Sequence, residues 1–356
     1  MGFIRFILAS IVVLCHTSPL FSYQPIPSDL AVQIFYVISG FYMTLVLNEK
    51  YLKGNNLKFY KNRALKIYPI YWIILVGLVF WGVIVFKLGY PGTLWFYDYA
   101  APLHTETWIY LIIANIFIIG LDLTFLMGIE NGRLYFTPNF GTSDPNVYNF
   151  SFNSIAWTIG VELTFYIIAP FILRKGLKIP LLIFFGSIFL RVVLSNMGYS
   201  SHPWDYMFFP NQLMYFMGGC LSYHFYKYLR LKKINQRIKQ ISFMLLISLI
   251  LFYSYILPND LNKQIVVFSL IILLIPISFI YTKDSKIDRY LGNLSYPIYV
   301  SQILIINITR ANAFPKIFGL GFTTLTIVLM VSVLLERFIA RRIERLKLEP
   351  TNMVVK

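Results

Sequence analysis

Apolar residues along this chain gather into eleven runs of near-span length, at 3–22, 30–48, 67–87, 108–127, 154–173, 180–195, 208–226, 241–257, 264–281, 291–309 and 317–335. A bilayer core about 30 Å thick takes about 20 apolar residues in helical form. Backbone inside lipid must satisfy its own hydrogen bonds, so each run is best read as a helix. The pattern predicts an all-α, polytopic membrane helix bundle. The first run, Phe3 to Phe21, lacks a basic leader and a small-residue cleavage site, so it is expected to be retained as a span. No polar stretch is long enough for a second domain. Residues 1–345 are expected to form one integral membrane domain, followed by a short cytoplasmic tail at 346–356.

Charge settles how these runs are wired. The 356 residues carry 31 Lys+Arg against 15 Asp+Glu, a net +16. In a soluble protein that excess suggests nucleic acid. Here 58% of residues are hydrophobic and only 13% charged, which excludes a soluble enzyme or a disordered chain. The basic residues sit in one alternating set of connections: 49–66, 174–178, 227–239, 283–289 and 336–349 hold 23 of them against 6 acidic residues. The other connections are slightly acidic. By the positive-inside rule the basic set is cytoplasmic, nucleic acid is not a partner, and both termini lie inside. Termini on one side require an even number of crossings. The expectation is therefore about ten transmembrane helices plus one re-entrant segment, either 67–87 or 108–127. The two cysteines, Cys15 and Cys220, offer no metal spacing and no C-x-x-C pair, so no metal is expected.

Charged residues inside spans are costly and are functional candidates for that reason. Arg5 and His16 lie eleven positions apart on the first run, about three helical turns. Arg5 would sit at the inner edge, where an interface anchor is the plain reading, and His16 in the outer half. Imidazole suits general-base work near neutral pH, although a simple interhelical hydrogen bond is the alternative. Glu162 follows Trp157 on the fifth run and enters from the outer side, so it is expected to meet His16 at similar depth and orient it. Arg63 and Lys66 share a helix face at the cytoplasmic entrance, where they are either topology flanks or a phosphate-binding rim. Ser39-Gly40 inside an apolar run permits close helix approach. Aromatic residues of the connection 128–153 (Tyr135, Phe136, Phe140, Tyr148, Phe150) either anchor at the interface or stack on sugar rings.

Taken together and in order, these residues resemble acyltransferase family 3, integral membrane acyltransferases of cell-surface glycans. Arg5 and His16 resemble the family's Arg-x10-His signature. F-Y-V-I-S-G-F at 35–41 resembles its S-G-F segment, and 59–72 with Arg63 and Lys66 resembles its basic, proline-containing element. The run W-T-I-G-V-E-L-T-F-Y, from Trp157 to Tyr166, resembles its Trp-and-Glu element. F-P-N-Q-L-M-Y-F-M-G at 209–218 and S-Y-P-I-Y-V-S-Q at 295–302 resemble two later stretches. Gln212 and Gln302 depart from the Arg and His usual at those positions.

The resemblance implies an acyl-CoA donor, usually acetyl-CoA, on the cytoplasmic side. It implies a glycan or lipid-linked sugar acceptor at the outer face, in the lipid bilayer of a bacterial cytoplasmic membrane. His16 and Glu162 are then expected to be catalytic, with His16 taking the acceptor proton or carrying the acyl group. Arg5, Arg63 and Lys66 would bind the donor, and Ser39, Trp157, Tyr166 and Tyr296 would shape the site. The competing reading is a multi-span transporter or flippase of a glycan-assembly pathway. It lacks an inverted repeat in this sequence.

Overall fold

The computed structural model describes residues 1–20, 25–51, 54–99, 102–256, 261–311 and 314–347, so most of the expected tail 346–356 lies outside the described residues. The chain is mostly helical. In order come α1 (Gly2–Cys15), α2 (Ser28–Glu49), α3 (Asn56–Lys87), α4 (Thr93–Tyr99) and α5 (Thr105–Phe117). A small hairpin follows, β1 (Met127–Glu130) and β2 (Arg133–Phe136), paired antiparallel. Then come α6 (Trp157–Ile172), α7 (Lys178–Asn196), α8 (Phe209–Leu229), α9 (Gln236–Leu251), α10 (Leu261–Thr282), α11 (Lys286–Arg310), α12 (Leu320–Leu335) and α13 (Arg341–Glu344).

Among the described residues, five helices are long and apolar enough to cross a bilayer by length and composition: α2, α3, α7, α10 and the run beginning with α12. α1, α5 and α6 are apolar but shorter. α8 and α11 have the length, with 21 and 25 residues, but carry buried polar side chains including Gln212, Ser222, Ser301 and Gln302. Those polar groups lower their hydropathy because the two helices are central, where polar groups find partners instead of lipid.

Contacts define two ends of the bundle. At one end the Met1 amino group meets Asp288 at 2.8 Å, Glu49 meets Arg230 at 2.9 Å, and Arg174 bonds Asn56 at 2.6 Å. At the other end His16 meets Gln302, and the amide of Ile26 bonds the carbonyl of Ile250. All the basic connections with described residues lie at the first end.

The run 108–127 does not form one helix. α5 has 13 residues, about 20 Å of helix against a core of about 30 Å. It starts beside the hairpin, where the His104 amide and the Thr107 hydroxyl both bond the Gly132 carbonyl. It ends against the middle of α3, where Tyr71, Trp72 and Tyr68 donate to the carbonyls of Asn115, Ile116 and Phe117. These are carbonyls a helix end leaves unsatisfied. The chain then reverses through Ile118 (φ 68°) and Gly120 (φ 87°) and returns by a short turn to the hairpin. Of the two segments expected to turn back, 108–127 is the one whose backbone reverses, while 67–87 belongs to α3, a single helix of 32 residues.

The core is built on close helix approach. A side chain at Gly40 would strike the Phe216 backbone of α8, and one at Gly219 would strike Val37 of α2. Gly2 and Gly292 likewise bring α1 against α11. Gly219→Val is expected to cost about 1–3 kcal/mol by overpacking. The check is the thermal midpoint of the detergent-purified protein, which should fall clearly below that of a Gly186→Ala control, where nothing lies within contact of the added carbon.

Candidate functional site

Six helices wall a cavity of about 610 Å³ at the basic end of the bundle, α10 contributing Phe279. Its lining brings together Arg5 from α1, Ser39 from α2, Arg63 and Lys66 from α3, Glu162 and Tyr166 from α6, and Tyr296 from α11. Helical spacing explains the convergence. Arg63 and Lys66, three apart, share one face, as do Glu162 and Tyr166, four apart. α1 is held in place by Asp288, whose carboxylate accepts from the backbone amides of Gly2 and Phe3 at 2.8 and 2.9 Å. A carboxylate there satisfies orphan donors and complements the positive end of the helix. Arg5 follows one turn later.

Lys50, Lys283 and Arg289 also line this cavity, giving six cationic side chains against two carboxylates, Glu162 and Asp288. Asp288 is already engaged by α1. Among the described residues, Arg5, Arg63 and Lys66 make no ion pair, so their charge faces the cavity. A second cavity of about 600 Å³ shares Lys66, Arg289 and Tyr296 with the first and carries the basic lining on to Arg341 and Arg345. Like charges held this close repel, and a polyanionic ligand relieves that repulsion.

Glu162 is the acidic focus of the cavity. The Ser39 and Tyr166 hydroxyls both donate to its Oε1. The Arg63 guanidinium stands 5.9 Å from the centre of the Tyr166 ring and 5.7 Å from that of Phe59. Tyr296 donates to the carbonyl of Ile67 at 2.8 Å, tying α11 to α3. Deeper in, Arg5, Ser39, Glu162 and Tyr296 also line a small chamber of about 60 Å³ closed by Tyr36, Thr158 and Tyr299.

His16 lies elsewhere, which corrects the expectation that Glu162 orients it. It caps the C-terminal end of α1 and lines an outer cavity of about 910 Å³ with Arg310, Asn307, Trp81 and Tyr148. None of the four cavities contains both His16 and Glu162. His16 Nδ1 faces Gln302 Oε1 at 3.3 Å, and Arg310 donates to the His16 carbonyl at 2.7 Å. The Gln302 amide is itself fixed, because its Nε2 donates to the Tyr299 carbonyl at 3.0 Å. Its oxygen must then accept from His16, which places the imidazole proton on Nδ1 and leaves the Nε2 lone pair free.

Trp157 lines none of the four cavities. It packs edge-on against Phe125 and Tyr206, with ring centres 5.5 and 4.9 Å away. Tyr148 stacks on Phe125 at 5.3 Å and is the one member of the expected aromatic set that lines the outer cavity. Sequence reasoning treated Gln302 only as a departure from a motif. It also missed Tyr299, Thr158 and Arg310. The helical spacing of Tyr299 and Gln302 signalled that they share a face of α11, but nothing in the sequence pointed that face at His16. Among the described residues, no group of three or more His, Cys, Asp or Glu side chains stands close enough to hold a metal ion.

A family model described as an acyltransferase domain, acyltransferase family 3, matches residues 1–336. No curated protein matches the chain, and neither does any solved structure. The geometry around His16 carries a direct test. Nitrogen-15 NMR of labelled imidazoles is expected to show His16 as the Nδ1–H tautomer, shifting to a mixture in Gln302→Leu. The Nε2–H tautomer in the unsubstituted protein would contradict the assignment.

Proposed function

This chain belongs to acyltransferase family 3, and from that premise we propose that it is a membrane O-acyltransferase moving an acetyl group from cytoplasmic acetyl-CoA to a hydroxyl of a cell-surface or lipid-linked glycan. The observation that carries the reading is the pairing of two cavities. One is cationic and lies at the basic end of the bundle; the other is lined by aromatic rings and His16 at the opposite end. Coenzyme A is a polyanion with a long, narrow pantetheine arm. Its phosphates match the excess of Arg and Lys in the inner cavity, where Arg63 offers a fork-shaped donor beside Lys66, and Arg5 lies nearer the thioester end. The arm leads the thioester toward Glu162 and the small chamber. That chamber's volume, about 60 Å³, favours acetyl over longer acyl chains.

In the outer cavity His16 acts as general base on the acceptor hydroxyl. Gln302 holds the ring with Nε2 unprotonated, the state that work requires. Trp81 and Tyr148 supply ring faces for a sugar, and Asn307 supplies polar contacts for its hydroxyls. In this reading the ten helices other than α4, α5 and α13 cross the bacterial cytoplasmic membrane, with α5 re-entrant from outside and both termini inside. The transporter reading is disfavoured by the path itself, since the chamber of about 60 Å³ beyond the cationic cavity is far too small to pass a sugar.

Two measurements on the purified protein test this. Acetyl-CoA affinity is expected to fall about tenfold or more in Arg63→Ala, the scale of losing one charge-assisted contact. Acetyl transfer is expected to fall about 100-fold or more in His16→Ala, with donor affinity retained. Unchanged affinity in the first variant would remove Arg63 from the donor site, and full transfer by a folded second variant would remove His16 from catalysis. Surface glycans from cells with and without the protein should differ by the mass of an acetyl group per modified sugar.

A further inference from the structure

With Glu162 in the donor cavity and His16 in the acceptor cavity, the acyl group needs a carrier between two bases. We propose that Ser39 is that carrier, a nucleophile that accepts the acyl group as a serine ester with Glu162 as its base. The inference rests on the acyl-CoA reading of the inner cavity. Three Ser or Thr hydroxyls line the small chamber: Ser39, Thr158 and Ser295. Ser295 donates to the Gly292 carbonyl at 2.7 Å, and Thr158 to the Ile155 carbonyl at 2.9 Å, and a peptide carbonyl does not act as a base. Ser39 alone of the three donates to a carboxylate. A hydroxyl bonded to a base, itself oriented by a third group, is the arrangement that activates a nucleophile. Here Tyr166 is the third group, donating to the same Glu162 oxygen.

Position supports the chemistry. Ser39 and Glu162 line both the cationic cavity and the chamber, so the hydroxyl faces the donor from one side and the route outward from the other. The next residue, Gly40, fixes α2 tightly against α8, which holds the nucleophile on a rigid element. Arg5 lines both the cavity and the chamber beside Ser39 and Glu162, where negative charge develops on the thioester carbonyl oxygen.

In the first step Ser39 Oγ bonds to the thioester carbonyl carbon while Glu162 takes its proton. The carbon–sulfur bond breaks, and CoA leaves as the thiolate, to be protonated by water in the basic cavity. In the second step the acceptor hydroxyl oxygen bonds to the ester carbonyl carbon and gives its proton to His16 Nε2. The carbon–Oγ bond breaks, and Glu162 returns its stored proton to Ser39. Both bases then regain their starting states, His16 by losing its proton to outer water. The second step requires the Tyr299 side chain, which helps close the chamber, to swing aside, while Gln302 keeps its bonds to His16 and to the Tyr299 carbonyl.

The test uses full-length protein and acetyl-CoA labelled in the acetyl group. Without acceptor, covalent label is expected on Ser39 within the α2 peptide. Ser39→Ala should lose the label and at least about 100-fold in transfer, while keeping acetyl-CoA affinity, which reports an intact fold. Ser39→Cys should keep the label but hold it as a thioester, released by neutral hydroxylamine that the serine ester survives. Double-reciprocal plots against donor and acceptor should be parallel. Intersecting plots, label on the His16 peptide, or Ser39→Ala transferring within a few-fold of the unsubstituted protein would each overturn the acyl-serine. A protein that neither binds nor turns over acetyl-CoA would overturn the proposed function, and the acyl-serine with it.

Discussion

Charge cannot be left in an apolar bundle without water or a partner, and that constraint organises this molecule. Arg5, Arg63, Lys66 and Glu162 come from three helices far apart in the sequence, α1, α3 and α6. Each would carry a heavy desolvation cost facing lipid. The bundle meets the constraint by turning all four toward one aqueous cavity. Once they share it, six cations face two carboxylates, an excess of positive charge that suits the polyanionic donor we propose. The same constraint acts on the backbone. The open carbonyl end of α5 inside the bundle is tolerated because Tyr68, Tyr71 and Trp72 of α3 donate to it.

α2 shows how packing and chemistry are divided over adjacent residues. Successive side chains on a helix point about 100° apart. Gly40 therefore meets α8 while Ser39 looks across to Glu162 on α6. A larger residue at Gly40 would push α2 off α8 and carry Ser39 with it. On the other wall, Asp288 anchors the first turn of α1 to the start of α11 and so sets the depth of Arg5. His16 sits at the far end of the same helix, held by Gln302 and Arg310 of α11. The pair α1 and α11 thus connects the cationic cavity to the cavity that His16 lines.

Much of this was legible in the sequence, because it depended on local pattern. The apolar runs and the alternation of basic connections anticipated the helices and the end at which the cations gather. The ordered motifs picked out seven of the residues that line the donor cavity. What was not legible depended on tertiary contact. Placing His16 and Glu162 at one depth rested on the side from which the fifth run enters, but His16 caps the far end of α1 while Glu162 faces the cavity that Arg5, Arg63 and Lys66 line. The parity argument led to the expectation that one of two runs turns back, and the backbone reversal at Ile118 and Gly120 falls in the second of them. Trp157 looked like a site residue and proved to be part of an aromatic stack behind the site. Gln302 looked like a lost histidine and proved to fix the tautomer of a different one.

The central claim is that donor and acceptor meet the protein from opposite ends and that the acyl group crosses between them. The direct measurement is sided transfer in sealed proteoliposomes with the protein in one known orientation. Labelled acetyl-CoA is confined to the side of the basic connections and acceptor glycan to the other. The account predicts labelled glycan on the far side while CoA stays on the near side. Transfer that occurs only when donor and acceptor share a compartment would contradict it.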